Sequence, residues 1–506
     1  MKQYFVYLQW ILMGGIAGLY LYIAHSSFGY DDEFFNIRLI RENSLEAIVR
    51  IIQSTDVHPP LSYILNHFFY QLTHSWTAVR MISALLFLTA FFYLLLNTEG
   101  KRNRILIFLL IGLNPAIMLW GTSIRWYAYV LPLLLILQVV PQYQKKYYWY
   151  YFFGISCVIC FLGYIGIFLS IPYFILYYLN DKTDWKQKWK RIVVPALFFL
   201  LVYGWQLFLF ITVHAKNDSP DSPQTFDIKA NLLSFLSATF SNQGLFPVTV
   251  LGIVSILGMA LVYIYTLCLQ WMNIKQNKNL LAFLIASLLF MVLGIAGKLR
   301  NLVLLEPTRN LLMIHAVGKK FRMVLFMGIA MIILGNMGGT YHVITHQRTT
   351  KNAWNIPVAK TILFVEKLEQ QGVREIYFTH HPTFDYYFTA AKKATISFYS
   401  DMYFDSSWIN TKVMNLASDS AAQKMTFTFL VNYRGRSISV EHYQALMNAM
   451  NGVKADSVKR FYLDRDPEYK LRKKYFPDYP EYTTEVVKYY GVTANITPLT
   501  VWERNK

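Results

Sequence analysis

Ile192-Val193-Val194-Pro195-Ala196-Leu197-Phe198-Phe199-Leu200-Leu201-Val202-Tyr203-Gly204-Trp205-Gln206-Leu207-Phe208-Leu209-Phe210-Ile211-Thr212-Val213 carries no charged residue from end to end. A run of this kind has the length that takes a helix across a bilayer, roughly 17–25 residues. Residues 105–119 and 280–296 form similar runs, and several recur before Thr340. A soluble domain held by one anchor is therefore excluded. The first run, residues 4–24, has only Lys2 ahead of it and no small-residue cleavage site behind it. It reads as a retained first helix, not a signal peptide.

Composition agrees. The chain is 55% hydrophobic and 17% aromatic, with only 15% charged residues, against about a quarter in soluble domains. Of the formal charge of +19, residues 1–350 supply +14 (27 basic, 13 acidic) and residues 351–506 supply +5 (21 basic, 16 acidic). In a membrane chain such basicity marks cytoplasmic loops and implies no nucleic acid. Cys157, Cys160 and Cys268 lie in or beside apolar runs, which leaves no disulfide framework; the first two read as helix packing.

Basic clusters recur between the spans: Lys101-Arg102 with Arg104, Lys145-Lys146, Lys182 through Arg191, Lys275 with Lys278, and Lys319-Lys320 with Arg322. Placing these loops inside predicts about eleven helices. They fall near residues 4–24, 76–97, 105–120, 126–141, 147–163, 165–180, 192–213, 246–270, 280–297, 302–318 and 321–339. An odd count puts the N-terminus in the cytoplasm and the C-terminus outside. The acidic residues then collect in two long outer loops, 25–75 and 214–245, where a rigid scaffold would carry its site. After Thr340 the pattern changes to strand-like stretches at 375–379, 395–399, 425–432 and 485–490. Helical stretches at 358–370 and 440–450 alternate with them. The expected architecture is a polytopic α-helical membrane domain, residues 1–340, followed by a small extracytoplasmic α/β or α+β domain, residues 341–506.

The chemistry-bearing residues sit in the outer loops. Phe28-Gly29-Tyr30-Asp31-Asp32-Glu33-Phe34-Phe35-Asn36 sets three consecutive carboxylates just beyond the first helix. Their mutual repulsion raises proton affinity, as a general base requires; the plainer reading is a solvated cap at a helix N-terminus. In Thr55-Asp56-Val57-His58-Pro59-Pro60-Leu61-Ser62-Tyr63 the prolines hold His58 extended. Asp56 and His58 then point the same way, and such a pair could hold a phosphate, a metal or a sugar hydroxyl. A turn that merely starts the next helix explains the stretch too. Arg125 and Tyr127 follow the short second outer turn. Lys298, Arg300 and Arg309 lie on the outer side against the charge bias, where an anionic lipid phosphate would partner them; snorkelling is the alternative.

In series, these elements resemble the GT-C glycosyltransferases, and within them the family 39 and ArnT-like group. That group includes protein O-mannosyltransferases and the lipid A aminoarabinose transferase. The likeness covers roughly residues 4–340 on the span arithmetic above. It rests on the order Asp32-Glu33, Asp56-x-His58-Pro59-Pro60-Leu61-x-Tyr63, Arg125-x-Tyr127 and Pro307-x-Arg309. The resemblance implies a hexosyl or pentosyl transfer from an undecaprenyl (polyprenyl) phosphate-linked sugar to an envelope acceptor, with inversion, on the outer face of the cell inner (cytoplasmic) membrane. Asp32 or Glu33, with Asp31 beside them, would supply the base; Asp56, His58, Tyr63, Arg125 and Tyr127 would bind donor and acceptor. Lys298, Arg300 and Arg309 would hold the lipid phosphate. Arg309-Asn310 stands where the family has Arg-Tyr, and Ser123-Ile124 where an acidic or Gln residue often precedes the second-loop Arg. No cofactor is certain, and a divalent metal is left open. Two other readings remain: a membrane polysaccharide polymerase or ligase, and a lipid-linked saccharide transporter, which would call for inverted repeats and mid-membrane polar sites. His380-His381 face opposite ways on an extended segment and read as loop residues.

Overall fold

The computed structural model describes residues 2–26, 31–55, 59–139, 147–163, 166–209 and 323–346. It also describes single positions within 254–314 and 364–371, and five strands beyond residue 374. The chain divides into two compact units, residues 1–28 with 36–347 and residues 29–35 with 348–506.

The first unit is helical. Helix α1 (Lys2–Ser26) leads to three helices in the expected outer loop, α2 (Asp31–Glu42, of which residues 36–42 belong to this unit), α3 (Leu45–Thr55) and α4 (Leu61–Thr73). Leu39 and Ile40 of α2, Ile48 and Ile52 of α3 and Tyr63 of α4 form one buried cluster. The i, i+4 spacing of Ile48 and Ile52 gives α3 a single apolar face, while its Arg50–Glu46 pair stays exposed. The loop is therefore a packed helical layer. Its last helix ends on His74 in the left-handed region (φ 49°), whose N–H bonds Tyr70 O.

Helix α5 (Trp76–Asn97) starts on a Ser75 cap that accepts from Ala78 N, and its bounds match the expected span. Its Phe87 ring stacks on Tyr20 of α1 at 5.0 Å. Among the described residues, α5 is long and apolar enough to cross a membrane. The span expected at 105–120 differs. α6 (Lys101–Ile107) passes into a π-helical turn, Phe108–Gly112, and α7 (Pro115–Gly121) leaves it bent by 64°. Proline has no N–H for the preceding turn and fits the first position of a new helix, and Asn114 caps that helix by accepting from Ala116 N and Ile117 N.

α8 (Tyr127–Val139), α9 (Tyr148–Leu162), α10 (Gly166–Asn180) and α11 (Trp185–Leu209) follow, then α12 (Met323–His346). α11 exposes Leu197, Phe198, Leu200, Leu201, Trp205 and Phe208; an apolar face this continuous suits lipid and not water. Cys157 and Cys160 are free and buried in α9. At the α10–α11 turn Asp181 accepts from Tyr148 Oη (2.5 Å), Trp149 Nε1 (3.3 Å), Thr183 N (3.0 Å) and Thr183 Oγ1 (2.7 Å). Burial raises its pKa, but these donors together outweigh that and hold the carboxyl at about 2. Lys188 reaches back to Tyr178 O at 2.8 Å, closing the end of α10.

The expected span 280–297 lies outside the described residues, as do most of 246–270 and 302–318. Of the last, Val303–Leu305 is a 3-10 turn that packs against α7 and α8.

The second unit holds a mixed sheet of order β2-β1-β3-β5-β4. The strands are β1 (Glu375–Phe378), β2 (Ser397–Ser400), β3 (Met425–Arg434), β4 (Ser457–Arg465) and β5 (Tyr482–Val492). β1 runs parallel to β2 and β3; β5 runs antiparallel to β3 and β4. β4 was not expected. Its Lys459-Arg460 and Asp464-Arg465 pairs break the apolar alternation, and pairing with β5 supplies the order that pattern lacks. The helical stretch expected at 440–450 and His380-His381 lie outside the described residues.

Candidate functional site

The polar centre of the helical unit is built where α2, α4 and the α7–α8 turn meet. α7 ends in hydrogen bonds made by its own sequence. Thr122 Oγ1 donates to Met118 O (3.0 Å) and Ser123 Oγ to Trp120 O (2.8 Å), capping carbonyls that the helix leaves open. The chain then turns through Ile124 and Arg125 and restarts as α8. Trp126 and Tyr127 are buried beside the turn, stacked on each other at 4.3 Å. Gly163 makes room for them, since a Cβ there would sit 2.6 Å from Trp126 Cε3.

Arg125 is 5% exposed. Its Nη1 donates to Asn36 Oδ1 at 2.9 Å and to Tyr63 Oη at 3.4 Å. The Asn36 amide turns its other end to Ile124 O, donating at 2.8 Å. Asn66 donates to the same carbonyl at 3.4 Å and accepts from Tyr129 Oη at 2.5 Å. Each amide thus has its orientation set by a donor on one side and an acceptor on the other. The network ties α2 and α4 to one guanidinium and to the turn that carries it. A guanidinium withdrawn from water among polar neighbours is suited to a planar anion, which it binds through paired N–H groups.

Of the residues singled out in the sequence, Tyr63 and Arg125 are brought together directly. Tyr127 belongs to the aromatic wall beside them. Glu33 is buried (0% exposed) and lies three residues ahead of Asn36 in the sequence of α2. Asp31 and Asp32 open α2, with side chains outside the described residues. Asp56, His58, Lys298, Arg300 and Arg309 lie outside the described residues altogether.

Asn36, Asn66 and Tyr129 were not singled out. Helical spacing carries the missed signal: Asn36 follows Glu33 by three, Asn66 follows Tyr63 by three, and Tyr129 follows Arg125 by four. Among the described residues no group of three or more His, Cys, Asp or Glu is arranged to hold a metal ion.

No protein-family model matches the chain, and no curated protein does. Among solved structures it is similar to the apo state of ArnT from Cupriavidus metallidurans, with a TM-score of 0.51 and 12% identity. The match covers 95% of this chain and 98% of that one. The fold is similar to that of ArnT. ArnT from the same organism bound to undecaprenyl phosphate gives a TM-score of 0.45 and 13% identity, over 94% of this chain and 97% of that one.

Proposed function

We propose that the chain is a glycosyltransferase of the cytoplasmic membrane, moving a sugar from a polyprenyl-phosphate donor to a cell-envelope acceptor on the extracytoplasmic side. The observation that carries this reading is the buried Arg125 guanidinium, held by Asn36 and Tyr63, in a chain folded like ArnT almost throughout. Such a transfer needs a base for the acceptor hydroxyl and positive charge for the departing phosphate.

Asp32 or Glu33 is the base, and Glu33 is buried. The acceptor oxygen attacks the anomeric carbon and its proton passes to the carboxylate. The bond from that carbon to the phosphate oxygen breaks, and its electrons leave with the phosphate. Arg125 and Tyr63, with Asp56, His58 and Tyr127, orient the reacting groups; Lys298, Arg300 and Arg309 hold the lipid phosphate. In this reading residues 1–340 are the membrane catalytic domain, with the N-terminus in the cytoplasm. Residues 341–506 form an extracytoplasmic domain.

The test is transfer by the purified protein from radiolabelled undecaprenyl-phosphate sugars to membrane acceptors. Transfer abolished in Glu33→Gln supports the reading. Unaltered transfer in both Asp32→Asn and Glu33→Gln would sink the base. Transfer only from pyrophosphate-linked oligosaccharides would favour a polymerase or ligase instead.

A further inference from the structure

The helix that starts at Lys101 loses its α-helical bonding at Phe108, and the hydrogen bonds identify which carbonyls are left over. Leu113 N donates five residues back, to Phe108 O (3.2 Å), and Asn114 N donates three back, to Ile111 O (3.2 Å). Leu109 O would take its helical bond from Leu113 or, in a π turn, from Asn114; both are used elsewhere. Leu110 O would take one from Asn114 or from position 115, and Pro115 has no N–H. Leu113 O would be served by Ile117 N, which is turned onto Asn114 Oδ1 at 3.1 Å. The break therefore strands at least these three carbonyls in an apolar surround, where an unmet backbone group is costly.

Those three are met from far along the chain. Asn336 Nδ2 donates to Leu109 O (3.3 Å), Asn310 Nδ2 to Leu110 O (3.0 Å) and Thr340 Oγ1 to Leu113 O (3.1 Å). Gly112 permits the close approach at the π turn, since a Cβ there would fall 2.5 Å from Ile16 Cδ1 and 2.8 Å from Phe91 Cζ. Asn310 is 1% exposed and follows Arg309 directly. On the other side of the break, α7 runs straight into the turn that carries Arg125.

We propose that Asn310 is a positioning residue. With Asn336 and Thr340 it locks the break, and so holds the Arg125 turn in register with the segment that meets the donor phosphate. The lock rests on the hydrogen bonds alone; what its two ends bind rests on the function proposed above.

Hydrogen exchange on the full-length protein in detergent, with and without undecaprenyl phosphate, tests both claims. Asn310→Leu keeps the volume and loses the donor; Asn310→Gln keeps a donor. The expected result is exchange at residues 113–125 faster by about tenfold in Asn310→Leu, with most of the loss restored in Asn310→Gln. Undecaprenyl phosphate should slow exchange at residues 122–126 of the wild type and leave Asn310→Leu unchanged. Unaltered exchange in Asn310→Leu overturns the lock, whatever the lipid does. Equal protection by lipid in wild type and variant overturns the coupling. Lipid without effect on the wild type overturns the donor reading and the coupling together, while a loosened Asn310→Leu still upholds the lock. Thr340→Val removes another of the three donors and should give a weaker form of the same signature if Asn310→Leu is not recovered from membranes.

Discussion

Arg125 and Asp181 are both charged side chains at helix ends in an apolar body, and their surroundings are built to opposite ends. Asp181 is encircled by four donors from Tyr148, Trp149 and Thr183, all within three residues of it or on the adjoining α9. A carboxylate so supplied has its charge answered at home, and it works as a knot closing the α9–α10–α11 turns. Arg125 is held at Nη1 by two neutral oxygens, Asn36 Oδ1 and Tyr63 Oη, brought from two other helices. Those contacts fix where the guanidinium points. The contrast is between a charge met by donors close by in the chain and one positioned by residues from distant helices.

Substitutions can break or sharpen that contrast. The largest effect is expected in Glu33→Gln, which should lower kcat about a thousandfold, the range of a lost general base, with the protein still folded by tryptophan fluorescence. Arg125→Lys should lower kcat/KM about a hundredfold in the same transfer assay, because an ammonium cannot reproduce the fork of a guanidinium. Asn36→Leu removes one prop and leaves the cation, so the expected loss is about tenfold. Gly112→Ala should leave chemistry to the surviving fold but cost about 1–3 kcal/mol by overpacking against Ile16 and Phe91; detergent melting reads this directly.

Asp181→Asn should spare transfer and cost stability on the order of 1 kcal/mol after solvent screening, read as a lowered melting temperature. Its acid dependence has a defined sign. The folded carboxyl titrates near 2, below its ordinary 3.8. Its stabilisation is thus complete above about pH 4 and lost as pH falls through 2. The wild type should lose stability relative to Asp181→Asn across that window. If Asp181→Asn abolished transfer at neutral pH without unfolding, the contrast would fail.

How much of this was legible follows from the range of each signal. The bounds of α5 came straight from an apolar run between Ser75 and Asn97, whose one charged residue is Arg80, since a local cap and a local apolar stretch suffice. β3 and β5 were visible as β-branched and aromatic alternation, while β4 was hidden by its charges until β5 paired with it. Asn114-Pro115 lies inside the span expected at 105–120, and the break it makes was not foreseen, because a proline in an apolar run is also compatible with an unbroken helix, as Pro132 in α8 and Pro195 in α11 illustrate. In the candidate site, Arg125 and Tyr63 stood out by motif; Asn36, Asn66 and Tyr129 did not, since spacing links each to a motif residue nearby in the chain but says nothing of its partner on another helix.

The sequence by itself determined the apolar helices, the change of pattern after Thr340 and the residue types on offer at the outer loops. These depend on transfer of side chains out of water and on neighbours a few residues apart. Only the tertiary structure decided that Arg125 meets an amide 89 residues earlier, and that Leu110 O is answered by Asn310, 200 residues later. A hydrogen bond acts over about 3 Å, so which groups come within its reach is fixed by the packing of whole helices.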